Sequence, residues 1–301
     1  MNYYNEIKNK LIDNKVYKKV KDYSKNRNDL STYYEVGKLL IKAQGGEERA
    51  KYGDNLIKEY SERLFNDTGK KYNITALKRI RQFYLVVEKG VPLAHQLTWS
   101  HYCELLPLKD INEINYYVKT TIEQCLSKRQ LRERIRNKEY QRLDDKTKLK
   151  LINKEEIDIK DNIKNPIIIK NKLDIDKETV REKMLQRLIL EDIPSFLDEL
   201  GDGYSFIKNE YKIKLGEKYN YIDLLLFNIE YNCYVAVELK VTELKKEHIG
   251  QIQIYMNYID NSLRKLTQDK TIGLIICKKD NKYVIEYSSD KRILSREYEL
   301  I

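Results

Sequence analysis

Apolar spacing changes character partway along the chain, and no other sequence feature constrains the fold as strongly. Through about residue 137, apolar residues recur three and four apart, as on one face of a helix. From about residue 205 they come in short runs bounded by turn-formers, as in buried strands. A chain of 301 residues with such a break is expected to form two domains. The expected division is an all-α domain over 1–137, a linker over 138–177 and a mixed α/β domain over 178–301.

In the first half, Thr32-Tyr33-Tyr34-Glu35 reads as a capping box that opens a helix, and Gly45-Gly46 reads as its stop. Further helices are expected from near Asp54, from Thr75, and from Lys128 behind the Ser127–Gln130 capping box. The stripe Leu77, Ile80, Phe83 and Val87 leaves Lys78, Arg79 and Arg81 on another face; Arg129 and Arg132 mark the Lys128 helix as basic. Trp99 and His101 are expected in or near the core, and His248 at the surface. The linker reading rests on dense charge, few aromatics and Pro166, with Ile167-Ile168-Ile169 as a docked piece. A helix over 179–200 should kink or break at Pro194. Strands are expected over 205–215, 219–227, 233–241, 271–277 and 283–287, with a helix over 247–266.

Composition excludes several chemistries. Four cysteines lie far apart and there are only three histidines, so a disulfide framework, a structural zinc and a His-rich metal centre are not expected. Any metal would have to be held by carboxylates. No apolar run is long enough to span a bilayer, and the N-terminal text lacks a signal-peptide core, so a reduced, cytoplasmic protein is expected. The net charge of +10 suits an anionic partner or a solvated Lys-rich surface.

The chemistry-bearing pattern is Tyr221-Ile222-Asp223-Leu224-Leu225-Leu226-Phe227 followed by Val235-Ala236-Val237-Glu238-Leu239-Lys240-Val241. Glu238 and Lys240 share a strand face, and the short connection between the segments makes Asp223 a neighbour. Ionisable groups in apolar strands are costly unless they pair or bind a cation. Two converging acids with a Lys would suit Mg²⁺-assisted phosphodiester hydrolysis; they would equally serve as a cross-strand ion pair. Gln251 and Tyr255, at i and i+4 on the next helix, could hydrogen-bond a phosphate, a base edge or a site group.

These residues resemble the YhcG-like family of bacterial proteins. The resemblance rests on Tyr33-Tyr34-Glu35-Val36-Gly37, Tyr52-Gly53-Asp54, Leu77–Tyr84, Leu97–Tyr102, Phe196–Gly201, Tyr221–Leu225, Val237–Val241 and Gly250–Tyr255, in one order along nearly the whole chain. Ile222 stands where the superfamily motif has Pro. The resemblance implies an N-terminal helix-turn-helix or winged-helix-like domain and a C-terminal restriction-endonuclease-like PD-(D/E)XK nuclease domain. It implies Asp223 and Glu238 as catalytic and metal-binding acids, the Leu239 carbonyl as a further ligand, and Lys240 as the catalytic Lys. A first-helix acid would complete the site, with Glu191 the first choice and Glu182 the second. The implied cofactor is Mg²⁺ with Mn²⁺ as substitute, and no small-molecule cofactor. The implied partner is DNA; Gln251 and Tyr255 and the basic residues Lys78, Arg79, Arg81, Arg129 and Arg132 are the expected contacts, a homodimer is expected because cutting both strands normally needs two sites, and no membrane partner is expected. The expected function is an endonuclease of repair, recombination or defence. The alternatives are a non-cleaving nucleic-acid-binding subunit and an RNA-directed nuclease.

Overall fold

A computed structural model of the protein describes residues 3–17, 25–46, 54–69, 72–286, 288 and 290–301. The chain divides into two compact units, Met1–Tyr140 and Gln141–Ile301. Tyr52 and Gly53 of the Tyr-Gly-Asp motif lie outside the described residues.

The first unit contains α1 (Tyr3–Tyr17), α2 (Lys25–Ala43), α3 (Asp54–Thr68), α4 (Ile74–Glu88), α5 (Trp99–Leu105), α6 (Ile111–Glu123) and α7 (Lys128–Arg136). Among the described residues it has no strand, so the wing of a winged helix has no counterpart there. The α2 helix begins at Lys25, upstream of the expected start at Thr32. Leu30 is fully buried, and the packing of this earlier turn overrides the local capping signal. The stop is as expected: Gly45 and Gly46 take φ of 85° and 103°, and the Gly46 N–H donates to the Ile41 carbonyl at 3.0 Å. Ile7, Leu11, Val36, Leu40, Ile57, Leu64, Leu77 and Ile80 bring α1 to α4 into one core. Gly37 lets α2 approach α4: a Cβ there would stand 2.6 Å from the Ile80 carbonyl oxygen. Phe83 sits against Trp99 and Tyr102, with centroids 5.4 and 4.8 Å away. Trp99 is thus a packing residue. His101 is buried, and its Nδ1 accepts from the Thr98 N–H at 3.0 Å at the start of α5, so it also serves structure.

The second unit is a six-stranded mixed sheet with helices on both faces. Its elements are α8 (Asp145–Asn153), β1 (Ile167–Ile169), α9 (Glu182–Glu191), α10 (Ile193–Leu200), β2 (Tyr204–Leu215), β3 (Lys218–Asn228), β4 (Cys233–Glu243), α11 (Lys246–Ser262), β5 (Asp269–Lys279), α12 (Lys282–Glu286) and β6 (Ile293–Leu300). The strand order is β1-β6-β5-β4-β3-β2; β2, β3 and β4 run antiparallel, and β4, β5, β6 and β1 parallel. Leu185, Leu188 and Ile189 of α9 and Phe196 and Leu200 of α10 pack with Leu224, Leu226, Val235, Val237 and Leu239 in one cluster. Ile252, Tyr255, Met256 and Ile259 of α11 pack with Ile222, Leu225 and Ala236 in another. No helix among the described residues is long and apolar enough to cross a membrane.

Two expectations for this half require correction. The stretch expected as a linker over 138–177 is largely folded into the second unit: Ile159, Ile163, Ile167 and Ile169 are buried in its core, and β1 pairs with β6. Of the strand expected over 283–287, residues 283–286 belong to the short helix α12 and Tyr287 lies outside the described residues; the strand is β6. Parallel β5 and β6 need a crossover between them, and α12 lies in it. The break expected near Pro194 is present: α9 and α10 are separate helices, Asp192 caps α10 through the Ser195 N–H, and Pro194 lies in its first turn.

Candidate active site

The site forms where two strands part. Pairing between β3 and β4 runs from Asn228↔Cys233 to Leu224↔Val237 and stops there. Beyond it, the Leu239 N–H donates to Asp223 Oδ2 at 2.8 Å, so the carboxylate replaces a ladder carbonyl. The Asp223 carbonyl accepts from Gln186 Nε2 of α9 at 2.9 Å. The β4 strand continues against β5, with Glu238 opposite Ile275 and Lys240 opposite Cys277. Lys240 Nζ lies 2.8 Å from Glu238 Oε1 and 3.5 Å from Glu182 Oε1, which the first turn of α9 delivers. Glu238 is only 2 % exposed, and its Oε2 has no hydrogen-bond partner among the described residues.

Burial, followed by the charge of Asp223, pushes Glu238 up to about 7. Burial raises Asp223 as well, against the pull of the Leu239 N–H and Lys240. For Lys240, burial acts to lower the group, but its hydrogen bond to Glu238 and the charges of Glu238, Glu182 and Asp223 outweigh it and hold the ammonium above its ordinary value. The buried Glu238 and the half-buried Asp223 thus share one ammonium, with less positive charge at hand than the two carboxylates require.

An acid whose folded value lies above its unfolded value stabilises the fold fully below the unfolded value. That contribution declines as pH rises through the folded one. For Glu238 the window runs from its ordinary 4.5 to about 7. In chelator, the wild-type protein is therefore expected to lose on the order of 2–3 kcal/mol more stability than Glu238→Gln between about pH 5 and pH 8. Denaturant unfolding at the two pH values measures this. Parallel pH profiles for the two proteins would show that the Glu238 carboxylate is already relieved.

The donors fit a hard divalent cation: a buried Glu238 oxygen without a partner, the Asp223 carboxylate, and Glu182 at the rim. Among the described residues no group of three or more His, Cys, Asp or Glu side chains is drawn together tightly enough to hold a metal as it stands. Lys240 occupies the space between Glu238 and Glu182. An open cleft of about 690 Å³, lined by Thr179, Arg181, Glu182, Lys183, Met184 and Val241, reaches this rim.

The structure brings Asp223, Glu238, Leu239 and Lys240 together but not Glu191. Glu191 is half exposed and lies 4.0 Å from Arg187. It follows Glu182 by nine residues, about 14 Å along the helix and half a turn round it, so the two acids face opposite ways. Glu182, the second choice, is the acid at the site. Gln186 was missed, although its i+4 spacing from Glu182 places both on one face. His248 was expected at the surface; it is half-buried, its Nδ1 accepts from the Lys245 N–H at 3.2 Å, and burial lowers it, with Lys240 acting in the same direction. Gln251 Nε2 donates to the Tyr255 hydroxyl at 2.9 Å. Tyr255 is 4 % exposed, so it walls the site and presents no surface to DNA.

The basic residues singled out in the first unit differ in their partners and exposure. Arg132 makes a two-pronged contact with Glu104 at 2.8 and 2.9 Å, and Lys128 lies 3.4 Å from the same carboxylate. Arg81 donates to Gln44 at 3.2 Å. Lys78 is half-buried, while Arg79 and Arg129 are exposed.

Comparison with known proteins identifies similar chains. Residues 160–301 match the family model described as the YhcG PDDEXK nuclease domain, and residues 8–142 match the DUF1016 N-terminal domain. A relative from Escherichia coli (strain K12), described as "Putative nuclease YhcG", is 25 % identical over 312 residues, covering 90 % of this chain and 83 % of its own. The crystal structure of a repair endonuclease from Pyrococcus abyssi aligns over 40 % of this chain and 47 % of its own, at 14 % identity and a TM-score of 0.28, a likeness too slight to carry an argument.

Proposed function

The chain belongs to the YhcG-like family, joining a DUF1016 N-terminal domain to a PDDEXK nuclease domain, and on that premise we propose that it is a divalent-cation-dependent endonuclease that hydrolyses phosphodiester bonds in DNA. The observation that carries the reading is the buried Glu238 oxygen, without a partner, beside Asp223 and Lys240. Nothing in the sheet satisfies that oxygen, and a cross-strand ion pair alone leaves it stranded.

In this reading Asp223, Glu238 and the Leu239 carbonyl hold Mg²⁺, or Mn²⁺ in its place, with Glu182 at the rim. When bound, the cation supplies Lewis-acid polarisation of the scissile phosphate. The Leu239 N–H fixes the Asp223 carboxylate, and Gln186 fixes the backbone that carries it. Lys240, held as an ammonium, donates to the attacking water or to a phosphate oxygen where negative charge develops. Glu182 and Glu238 aim that ammonium from two sides. Arg79 and Arg129 are exposed cations of the first unit suited to backbone phosphates.

The test is incubation of labelled linear, flapped and four-way DNA, with RNA alongside, in Mg²⁺, Mn²⁺ or chelator. DNA products in either metal and none in chelator are expected. Binding without cleavage of any substrate would favour a non-cutting subunit, and products from RNA alone would redirect the reading to RNA.

A further inference from the structure

Beyond the catalytic residues, β2 and β3 continue as a hairpin whose outer face is basic and aromatic. Lys212 pairs with Tyr221 and Lys214 with Tyr219, and residues directly opposite in an antiparallel pair share a face. The alternate residues Tyr211, Ile213 and Ile222 turn the other way, into the cluster under α11. Lys212 and Lys214 are exposed, Tyr219 is 56 % exposed and Tyr221 50 %. Lys212 Nζ stands 3.7 Å from the centroid of the Tyr219 ring, a cation–π contact that orients the ring and keeps the ammonium at the surface.

The hairpin leads directly to the site. Tyr221 precedes Asp223 by two residues and Tyr219 by four, about 7 and 13 Å along an extended strand. At the stacked spacing of ~3.4 Å per nucleotide, that is the reach of roughly two to four nucleotides from the scissile phosphate. The hairpin is also bent where it meets the site. Ile222 packs on the α11 side and Leu224 on the α9 side, so strand alternation breaks at Asp223. On β2, Glu210 takes φ 46° between the Asn209↔Leu224 and Tyr211↔Ile222 pairs.

Resting on the nuclease reading above, we infer that this face is the seat of a single-stranded DNA segment adjoining the bond to be cut. Tyr219 and Tyr221 stack on unpaired bases, and Lys212 and Lys214 pair with the intervening phosphates. Exposed rings suit unpaired bases because a duplex offers no free base faces away from its ends. Lysines alternating with the rings match the phosphate charge of a strand laid along the hairpin. The substrate class is therefore DNA with a single-stranded extension or gap beside the cleavage point, and blunt duplex is the poorer ligand.

Fluorescence anisotropy with the full chain in chelator tests this without any need for cleavage. The probes are a blunt duplex, the same duplex with a single-stranded overhang, and the single strand alone. Wild type is expected to bind the overhang probe at least about tenfold more tightly than the blunt one. Tyr219→Ala/Tyr221→Ala removes that preference, and Tyr219→Phe/Tyr221→Phe keeps it. An unchanged thermal midpoint confirms that these exposed positions were not needed for folding. Equal wild-type affinity for blunt and overhang probes would overturn the inference, as would a preference that survives the double Ala substitution. If wild type cleaves DNA in Mg²⁺ yet shows either result, the hairpin inference fails and the nuclease reading stands. If the Tyr-dependent preference is present and no cation supports cleavage, the converse holds.

Discussion

Asp223→Asn is expected to lower divalent-cation-dependent DNA cleavage by roughly a thousandfold or more while leaving the fold intact. The two halves of this result come from different atoms. The Asn side chain keeps an oxygen to accept from the Leu239 N–H, so the parting of β3 and β4 retains its capping contact. It loses the charge, and with it one of the two anionic donors on which a cation would depend. Asp223→Ala is the less discriminating variant. It also strands the buried Leu239 N–H, at a cost of about 1–3 kcal/mol, and so mixes instability with lost chemistry. In metal-free protein, Asp223→Asn also removes the charge that helps to push Glu238 upward. Its folding stability at neutral pH should therefore match or exceed that of wild type. A variant as active as wild type would remove Asp223 from the chemistry.

The second large effect is expected far from the chemistry, at Glu199. Arg142 is buried against Glu199: its Nη2 donates to Oε1 at 3.0 Å, its Nη1 donates to Oε2, and Nη1 also donates to the Pro166 carbonyl at 2.7 Å. Glu199 Oε2 further accepts from the Ile168 N–H at 3.0 Å. One α10 carboxylate thus ties down both the entry to the second unit and β1. The two side chains are 8 % and 12 % exposed, so removing one partner leaves a desolvated charge. Glu199→Ala is expected to destabilise the second unit by about 3–5 kcal/mol. The single Trp, Trp99, lies in the first unit, so calorimetry rather than Trp fluorescence should follow the loss. A change below about 1 kcal/mol would mean that this pair contributes little to holding β1 and residues 141–166 in place.

The contrast between these two sites shows what was legible in the sequence. Asp223, Glu238 and Lys240 stood out because ionisable groups inside apolar strands need a reason to be there, and the alternation of a strand fixes which of them share a face. The Pro194 break and the Gly45-Gly46 stop were legible because each acts through backbone geometry in its own residue. Glu182 could not be chosen over Glu191 in advance. Both sit on α9, and which end of a helix meets a sheet is set by packing of Leu185, Leu188 and Ile189, not by local preference. Ile167–Ile169 was legible as a docked apolar piece but not as a strand, because its pairing partner β6 and the Arg142–Glu199 pair that holds it lie far off in sequence. Long-range contacts also explain α2, where buried Leu30 draws the helix past a sound capping box. The hairpin face became visible only with the register, because exposed Lys and Tyr are common in this chain and the pairing alone puts four of them together.

Under the proposed function, Asp223, Glu238 and Lys240 act as one constellation that hydrolyses DNA. The most direct measurement is a time course of labelled-DNA cleavage by wild type and Lys240→Met at equal concentration, in Mg²⁺ and in chelator. Met replaces the Lys stem with similar apolar bulk and removes only the ammonium between Glu238 and Glu182. Products from wild type in Mg²⁺, and none from either protein in chelator or from Lys240→Met in Mg²⁺, are the expected result. Cleavage by Lys240→Met at the wild-type rate would contradict it.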